Sequence, residues 1–135
     1  MEFKVQKISK IQEDLFIIGD GDDIRNRVEF LLFTGNLIEL GNFSESLLKA
    51  IEDIKKIFES ELKARVLMAG GDDIFISFDK HLYRREILES AAECFRDSTG
   101  NTISFGVGVT PEQAYLNLRR AKASGKARIV DIGTQ

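Results

Sequence analysis

The stretch Val66-Leu67-Met68-Ala69-Gly70-Gly71-Asp72-Asp73-Ile74-Phe75-Ile76 decides the fold. Two apolar runs flank a pair of glycines and a pair of carboxylates, the pattern of antiparallel strands joined by a tight turn. Residues without side chains let the backbone bend and let a phosphate come close. The two aspartates put acidic oxygens at the same tip. A hard divalent cation such as Mg2+ (or Mn2+) takes oxygen ligands, usually one or two carboxylates completed by water and substrate phosphates. This hairpin therefore reads as half of a metal site.

The other half is expected in Leu15-Phe16-Ile17-Ile18-Gly19-Asp20-Gly21-Asp22-Asp23, an apolar strand running into an acidic, glycine-punctuated turn and then a helical segment. If that strand pairs beside the hairpin, Asp20 faces Asp72 and Asp73, and so much negative charge is costly without a cation between them. Asp and Gly are common in turns for conformational reasons alone, so one such pair would mean little. Two clusters, each closing an apolar strand, argue for a joint site, because Asn or Ser would turn the chain equally well without repulsion. Two cations about 3.5–4 Å apart activate an attacking hydroxyl and steady a leaving pyrophosphate in polymerases and nucleotidyl cyclases.

Composition frames these motifs. The 135 residues, 43% hydrophobic and 30% charged, fit one globular domain over residues 1–135. No apolar stretch approaches the roughly 20 residues that span a bilayer, and Met1-Glu2-Phe3-Lys4 does not read as a secretion signal. The expectation is a cytoplasmic protein with no membrane attachment. Cys94, the single cysteine, reads as a core residue beside Phe95, and His81 as a loop residue rather than a ligand. A net charge of −3 argues against coating long nucleic acid but leaves small phosphorylated ligands open. Those need only local cations, which the chain offers in Arg119, Arg120, Lys122, Lys126 and Arg128.

Hydrophobic periodicity gives the order of elements. Residues 1–13 are ambiguous between strand and helix. A strand at Leu15–Gly19 precedes a helix at Ile24–Phe33, stopped by Thr34-Gly35-Asn36. A longer helix presents Phe43, Leu47, Ile51, Ile54 and Phe58 on one face, with Asn42 or Ser44 available as its cap. Hairpin strands at Ala64–Ala69 and Ile74–Phe78 follow, then a helix with Tyr83, Ile87, Leu88, Ala91 and Phe95 inward. A strand at Thr102–Val109 carries small residues where another backbone or a ligand comes close. Thr110-Pro111-Glu112-Gln113 starts a helix that stops at Gly125, and Arg128–Ile132 forms the last strand. This is an α+β order with a mainly antiparallel sheet and helices packed on one face.

The order of elements, Asp20-Gly21-Asp22, Gly70-Gly71-Asp72-Asp73 and the run Ala121-Lys122-Ala123-Ser124-Gly125-Lys126-Ala127-Arg128 together resemble the ferredoxin-like palm of GGDEF nucleotide cyclases. They are more similar still to the polymerase palm of type III CRISPR subunits and to the minimal CRISPR polymerases called mCpol. The resemblance covers about residues 15–132. It implies that Asp20, Asp72, Asp73 and the Gly21 carbonyl hold metal, with Asp72 and Asp73 the catalytic acids. It further implies that the amides of Asp22, Asp23 and Ile24 wrap the triphosphate, a use open to helix N-terminal donors. Lys122 matches the lysine at the terminal phosphates, and Lys126 stands where those cyclases have arginine. The Asn and Asp that read guanine fall on Val28 and Leu37 in an ungapped count, and neither can make those hydrogen bonds. Guanine is thus disfavoured, and an apolar base pocket near Val28 and Leu32 suits adenine.

The resemblance implies a magnesium-dependent nucleotidyltransferase that joins ATP into a cyclic oligoadenylate, cyclic di-adenylate above others, as an antiphage second messenger read by a separate effector. Ring closure needs two facing nucleotides, which a symmetric homodimer arranges. Three alternatives stay open: an enzyme making a linear oligonucleotide or a cyclic mononucleotide, a non-catalytic nucleotide sensor, and a structural partner within a CRISPR complex.

Overall fold

The computed structural model describes residues 13–133, so the ambiguous segment before Glu13 lies outside the described residues. Among the described residues are five strands and four helices: β1 (Asp14–Gly21), α1 (Ile24–Phe33), α2 (Leu37–Leu62), β2 (Arg65–Ala69), β3 (Asp73–Asp79), α3 (Arg85–Thr99), β4 (Ile103–Gly108), α4 (Pro111–Ala123) and β5 (Ile129–Val130). A short 3-10 turn at Lys80–Leu82 links β3 to α3. The sheet order is β2-β3-β1-β4-β5, antiparallel throughout except for the parallel β4/β5 pair.

Alternation along β1 decides which face is which. Leu15, Ile17 and Gly19 point to the core, and Phe16, Ile18 and Asp20 point the other way. The core face joins Ile74, Ile76 and Phe78 of β3 and Ile103, Phe105 and Val107 of β4 to the apolar stripes of α1, α2 and α3. Helix α4 takes the opposite face, against β4 and β1. Gly106 makes that approach possible, since a Cβ there would lie 2.2 Å from the Ala114 carbonyl oxygen and 2.2 Å from the Leu118 nitrogen. Three helices thus cover one face as the sequence implies, whereas the fourth departs from that reading and packs on the other, against β4 and β1. The small residues of β4 mark that crossing.

Local differences from the sequence reading have physical causes. β1 runs on to Gly21, so Asp20 and Gly21 belong to a strand rather than to a turn. Helix α2 begins at Leu37 after Asn36, about two turns before Asn42 and Ser44. Its first turn carries the exposed Leu37 and Ile38 and so lacks an amphipathic signature. α3 starts at Arg85, leaving Tyr83 before the helix. The last strand shrinks to Ile129–Val130. Cys94 is only half-buried rather than core, and burial still pushes its thiol up. His81 is the exposed loop residue expected, its ring 2.8 Å from Glu13. The cap of α4 forms as read, with Thr110 Oγ1 accepting from the Gln113 N–H at 3.0 Å, but the Gln113 side chain reaches back to the Val109 N–H.

Candidate metal and nucleotide site

Strand register assembles the acidic centre. Antiparallel pairing of β1 with β3 sets Asp20 directly opposite Asp73. The Gly21 N–H donates to the Asp72 carbonyl at 2.8 Å, and the Gly70 N–H closes the turn on the Asp73 carbonyl at 2.9 Å. One carboxylate oxygen from each of Asp20, Asp72 and Asp73 lies within 4.8 Å of the other two. Burial pushes the Asp72 carboxyl above the usual range, and repulsion from Asp20 and Asp73 adds to it, against a smaller pull from Lys122. Three converging carboxylates, one of them resisting ionisation, fit a hard divalent cation, whose oxygen ligands sit about 2.1 Å from it.

A cavity of about 710 Å³ opens over these acids. Ile18, Phe75, Met68, Tyr115 and Leu118 give it an apolar wall, and Asp23, Ile24, Arg25, Asn26, Arg119, Lys122 and Lys126 rim it. Met68 is there because the register between β2 and β3 slips between Val66 and Met68, which sets Met68 opposite Phe75. A larger cleft of about 820 Å³ lies between α3 and β5, but it mixes Glu89, Glu93 and Asp97 with Arg85, Arg96 and Arg128 and holds no converging acids. Among the described residues the other ligating cluster is Glu13, Asp79 and His81. There Asp79 accepts from the His81 N–H, and the His81 ring pairs with Glu13.

Lys122 and Asp22 sit deeper than the sequence suggested. The Lys122 ammonium donates to the Asp20 carbonyl at 3.0 Å, the Gly21 carbonyl at 2.9 Å and Asp22 Oδ1 at 2.7 Å, with Asp20 Oδ2 at 3.1 Å. Asp22 is 1% exposed and also accepts from the Thr102 and Ser104 hydroxyls and the Ala127 N–H. Burial pushes its carboxyl up, but the bonds from Lys122, Thr102, Ala127 and Ser104 outweigh that and hold it below the usual range. The Asp22 N–H donates to the Thr102 carbonyl at 2.8 Å, so this amide is directed inward and not toward a triphosphate. Asp23 and Ile24 stay in the lining of the cavity, at the start of α1.

Lys126 lines the cavity and pairs with Asp23. Val28 does not line it; the side chain packs against the core cluster, and Leu32 and Leu37 are exposed outside the cavity. Of the terminal cations, Arg119 joins Lys122 and Lys126 at the rim, and Arg120 turns to the Asn117 side chain at 2.8 Å. Sequence reasoning missed Thr102 and Ser104 as holders of Asp22, and Arg25, Asn26, Met68 and Tyr115 as lining. Only Ser104 carried a signal, a small hydroxyl in a run of small residues.

The family model for the minimal CRISPR polymerase domain, mCpol, matches residues 16–132, which include every acid of the centre and both lysines. The chain belongs to the mCpol family. No curated protein matches it. Among solved structures, this mCpol chain is similar to a Csm1-Csm4 cassette in complex with pppApA, at 20% identity and a TM-score of 0.72, over 86% of this chain and 20% of that one. It is similar to Csm1 of T. onnurineus at 23% identity and a TM-score of 0.69, over 86% of this chain and 20% of that one. It is also similar to the active GGEEF domain of a diguanylate cyclase from Vibrio cholerae, at 15% identity and a TM-score of 0.55, over 94% and 88% of the two chains. The mCpol chain thus spans about one fifth of the Csm1 structures, 20% of their length, and shares the palm fold with both groups. None of its described helices is long and apolar enough to cross a membrane.

Proposed function

We propose that this mCpol chain is a divalent-metal-dependent nucleotidyltransferase that joins ATP into a cyclic oligoadenylate, with cyclic di-adenylate the foremost product. The observation that carries this reading is the convergence of the Asp20, Asp72 and Asp73 oxygens within 4.8 Å beneath a nucleotide-sized cavity. A ribose hydroxyl of one nucleotide attacks the α-phosphorus of another; the new O–P bond forms as the bond to pyrophosphate breaks, and the hydroxyl proton passes to solvent. Asp20, Asp72, Asp73 and the Gly21 carbonyl would hold Mg2+ or Mn2+, which supplies charge stabilisation to the attacking and leaving oxygens. The donors of Asp23 and Ile24, with Lys126 and Lys122, take the triphosphate's charge. Ile18, Phe75, Met68 and Tyr115 offer a flat apolar wall to a purine. Val28 contributes from behind, by seating α1.

Cyclisation is supported by an apolar patch of the kind that a second copy covers. Phe30, Phe33, Leu37 and Ile38 are 66%, 84%, 65% and 80% exposed on the α1/α2 hairpin, continuous with the helix whose first turn rims the cavity. We read this as a homodimer in the cytoplasm whose product is consumed by a separate effector in antiphage defence. The test is mass spectrometry of products after incubation with all four nucleoside triphosphates and Mg2+. The reading expects an adenylate ring from wild type and none from the Asp72→Ala, Asp73→Ala variant. Identical profiles would overturn it, a linear oligomer or a cyclic mononucleotide would replace the ring, and bound but unconverted ATP would make the protein a sensor.

A further inference from the structure

We propose that Lys122 is a counter-cation built into the acidic centre, which competes with the metal ion for the same oxygens until a nucleotide phosphate draws it away. This rests on the reading that the centre binds metal. An ammonium has three protons. Here they are shared among the Asp20 carbonyl, the Gly21 carbonyl and Asp22 Oδ1, all within 3.0 Å, with Asp20 Oδ2 at 3.1 Å. Two of these acceptors, the Asp20 carboxylate and the Gly21 carbonyl, belong to the proposed metal ligands. The lysine side chain is only 20% exposed. Behind it stands Asp22, itself fixed by Thr102, Ser104 and the Ala127 N–H, so the ammonium is seated rather than adrift.

Competition follows from distance and charge. An ion about 2.1 Å from the Asp20 and Gly21 oxygens lies within a few ångströms of an ammonium that touches the same atoms, and two cations so close in a half-buried site repel. Metal entry therefore asks Lys122 to release Asp20 and Gly21. Nucleotide phosphate offers the ammonium another anionic partner on the cavity side, where Lys122 is part of the lining. Metal and nucleotide then assist each other's binding through one side chain, a coupling that must be reciprocal. Metal alone binds weakly, and Lys122 offsets part of the acidic centre's charge between catalytic cycles.

The test is calorimetric titration of nucleotide-free protein with Mn2+. Lys122→Met should bind Mn2+ on the order of fivefold more tightly than wild type. Lys126→Met removes the same charge from the rim of the same cavity without touching Asp20 or Gly21, and should stay within about twofold of wild type. The gain in Mn2+ affinity on adding α,β-methylene ATP should also be smaller in Lys122→Met than in wild type. If Lys122→Met does not fold, the pair Asp22→Asn, Lys122→Met removes both partners together and carries the same expectation. Equal or weaker Mn2+ binding by the lysine variant, or equal tightening by Lys126→Met, would overturn the competition. Absence of Mn2+ binding in wild type, or binding indifferent to Asp72→Ala, Asp73→Ala, would instead remove the metal site itself.

Discussion

Lys122 Nζ stands 2.7 Å from Asp22 Oδ1, a contact between α4 and the end of β1 made across a sequence separation of 100 residues. The carboxylate is 1% exposed, so this ion pair joins two halves of the site inside the protein. Asp22→Ala takes from Lys122 its shortest ion pair, leaving Asp20 Oδ2 and two carbonyls, and removes the acceptor of Thr102, Ser104 and the Ala127 N–H; we expect it to lower unfolding free energy by about 3–5 kcal/mol, read by urea denaturation. Asp22→Asn should cost less, because its amide oxygen still accepts from Thr102 and Ser104.

The same residue gives an acid-stability signature. Its carboxyl lies below the usual range in the folded chain. A depressed folded value contributes stability above the unfolded pKa, about 3.9, and loses it as pH falls through the folded value. Between pH 5 and pH 2 the urea midpoint of wild type should therefore fall more steeply than that of Asp22→Asn. Parallel curves would show that Asp22 carries no such linkage.

Asp72 has the opposite sign. Burial and its neighbours Asp20 and Asp73 raise its carboxyl, so the ionised form opposes folding, and stability is lost as pH rises through the folded value. Without metal at pH 7, Asp72→Asn should melt higher than wild type, by on the order of 2 °C once solvent screening is allowed for. Mg2+ should raise the melting temperature of wild type and leave that of the variant unchanged. A lower melting point would contradict the repulsion described.

Gly106 sets how close α4 can come. With backbone atoms of Ala114 and Leu118 at 2.2 Å from where a Cβ would sit, no side-chain rotation relieves the clash in Gly106→Ala. We expect a loss of about 3 kcal/mol. Nucleotide binding should weaken as well, since the displaced helix carries Lys122. A variant as stable as wild type would mean that the helix yields freely.

Tyr83 tests the far end of the sheet. Its hydroxyl donates to Asp131 Oδ2 at 2.6 Å, where Arg85 also binds at 3.0 Å, and the Asp131 side chain is 8% exposed. Tyr83→Phe should cost about 1–3 kcal/mol in urea denaturation and leave Mn2+ affinity unchanged. A change in metal affinity would show that the two ends communicate.

How much was legible depended on whether the signal was local. Strands β1 and β3 were legible from apolar runs flanked by carboxylates, because alternation and turn chemistry act over a few residues, whereas Asp20 facing Asp73 follows only on the condition that the two strands pair. The cap at Thr110 was legible for the same reason. The first turn of α2 was not, because Leu37 and Ile38 point to solvent and give no stripe. The inward turn of Asp22 was hidden too, since its partners Thr102, Ser104, Lys122 and Ala127 are far away in sequence and an acidic turn residue normally faces water. An ungapped count from Asp20 along the family pattern puts Val28 at the base pocket, and counting does not show which side of a helix meets the core.

β1 is hydrogen-bonded on both flanks, to β3 and to β4, and β5 closes the edge with only two residues. Amide exchange should accordingly be slowest along Ile17–Gly19 and fast beyond Arg128. Lys126 and Ala127, both at positive φ, form the bend that leads into that edge. On the proposed reading the acids ride on a stiff anvil, and Lys126 sits on the approach to a short edge strand, tied back to that anvil by the Ala127 N–H bond to Asp22.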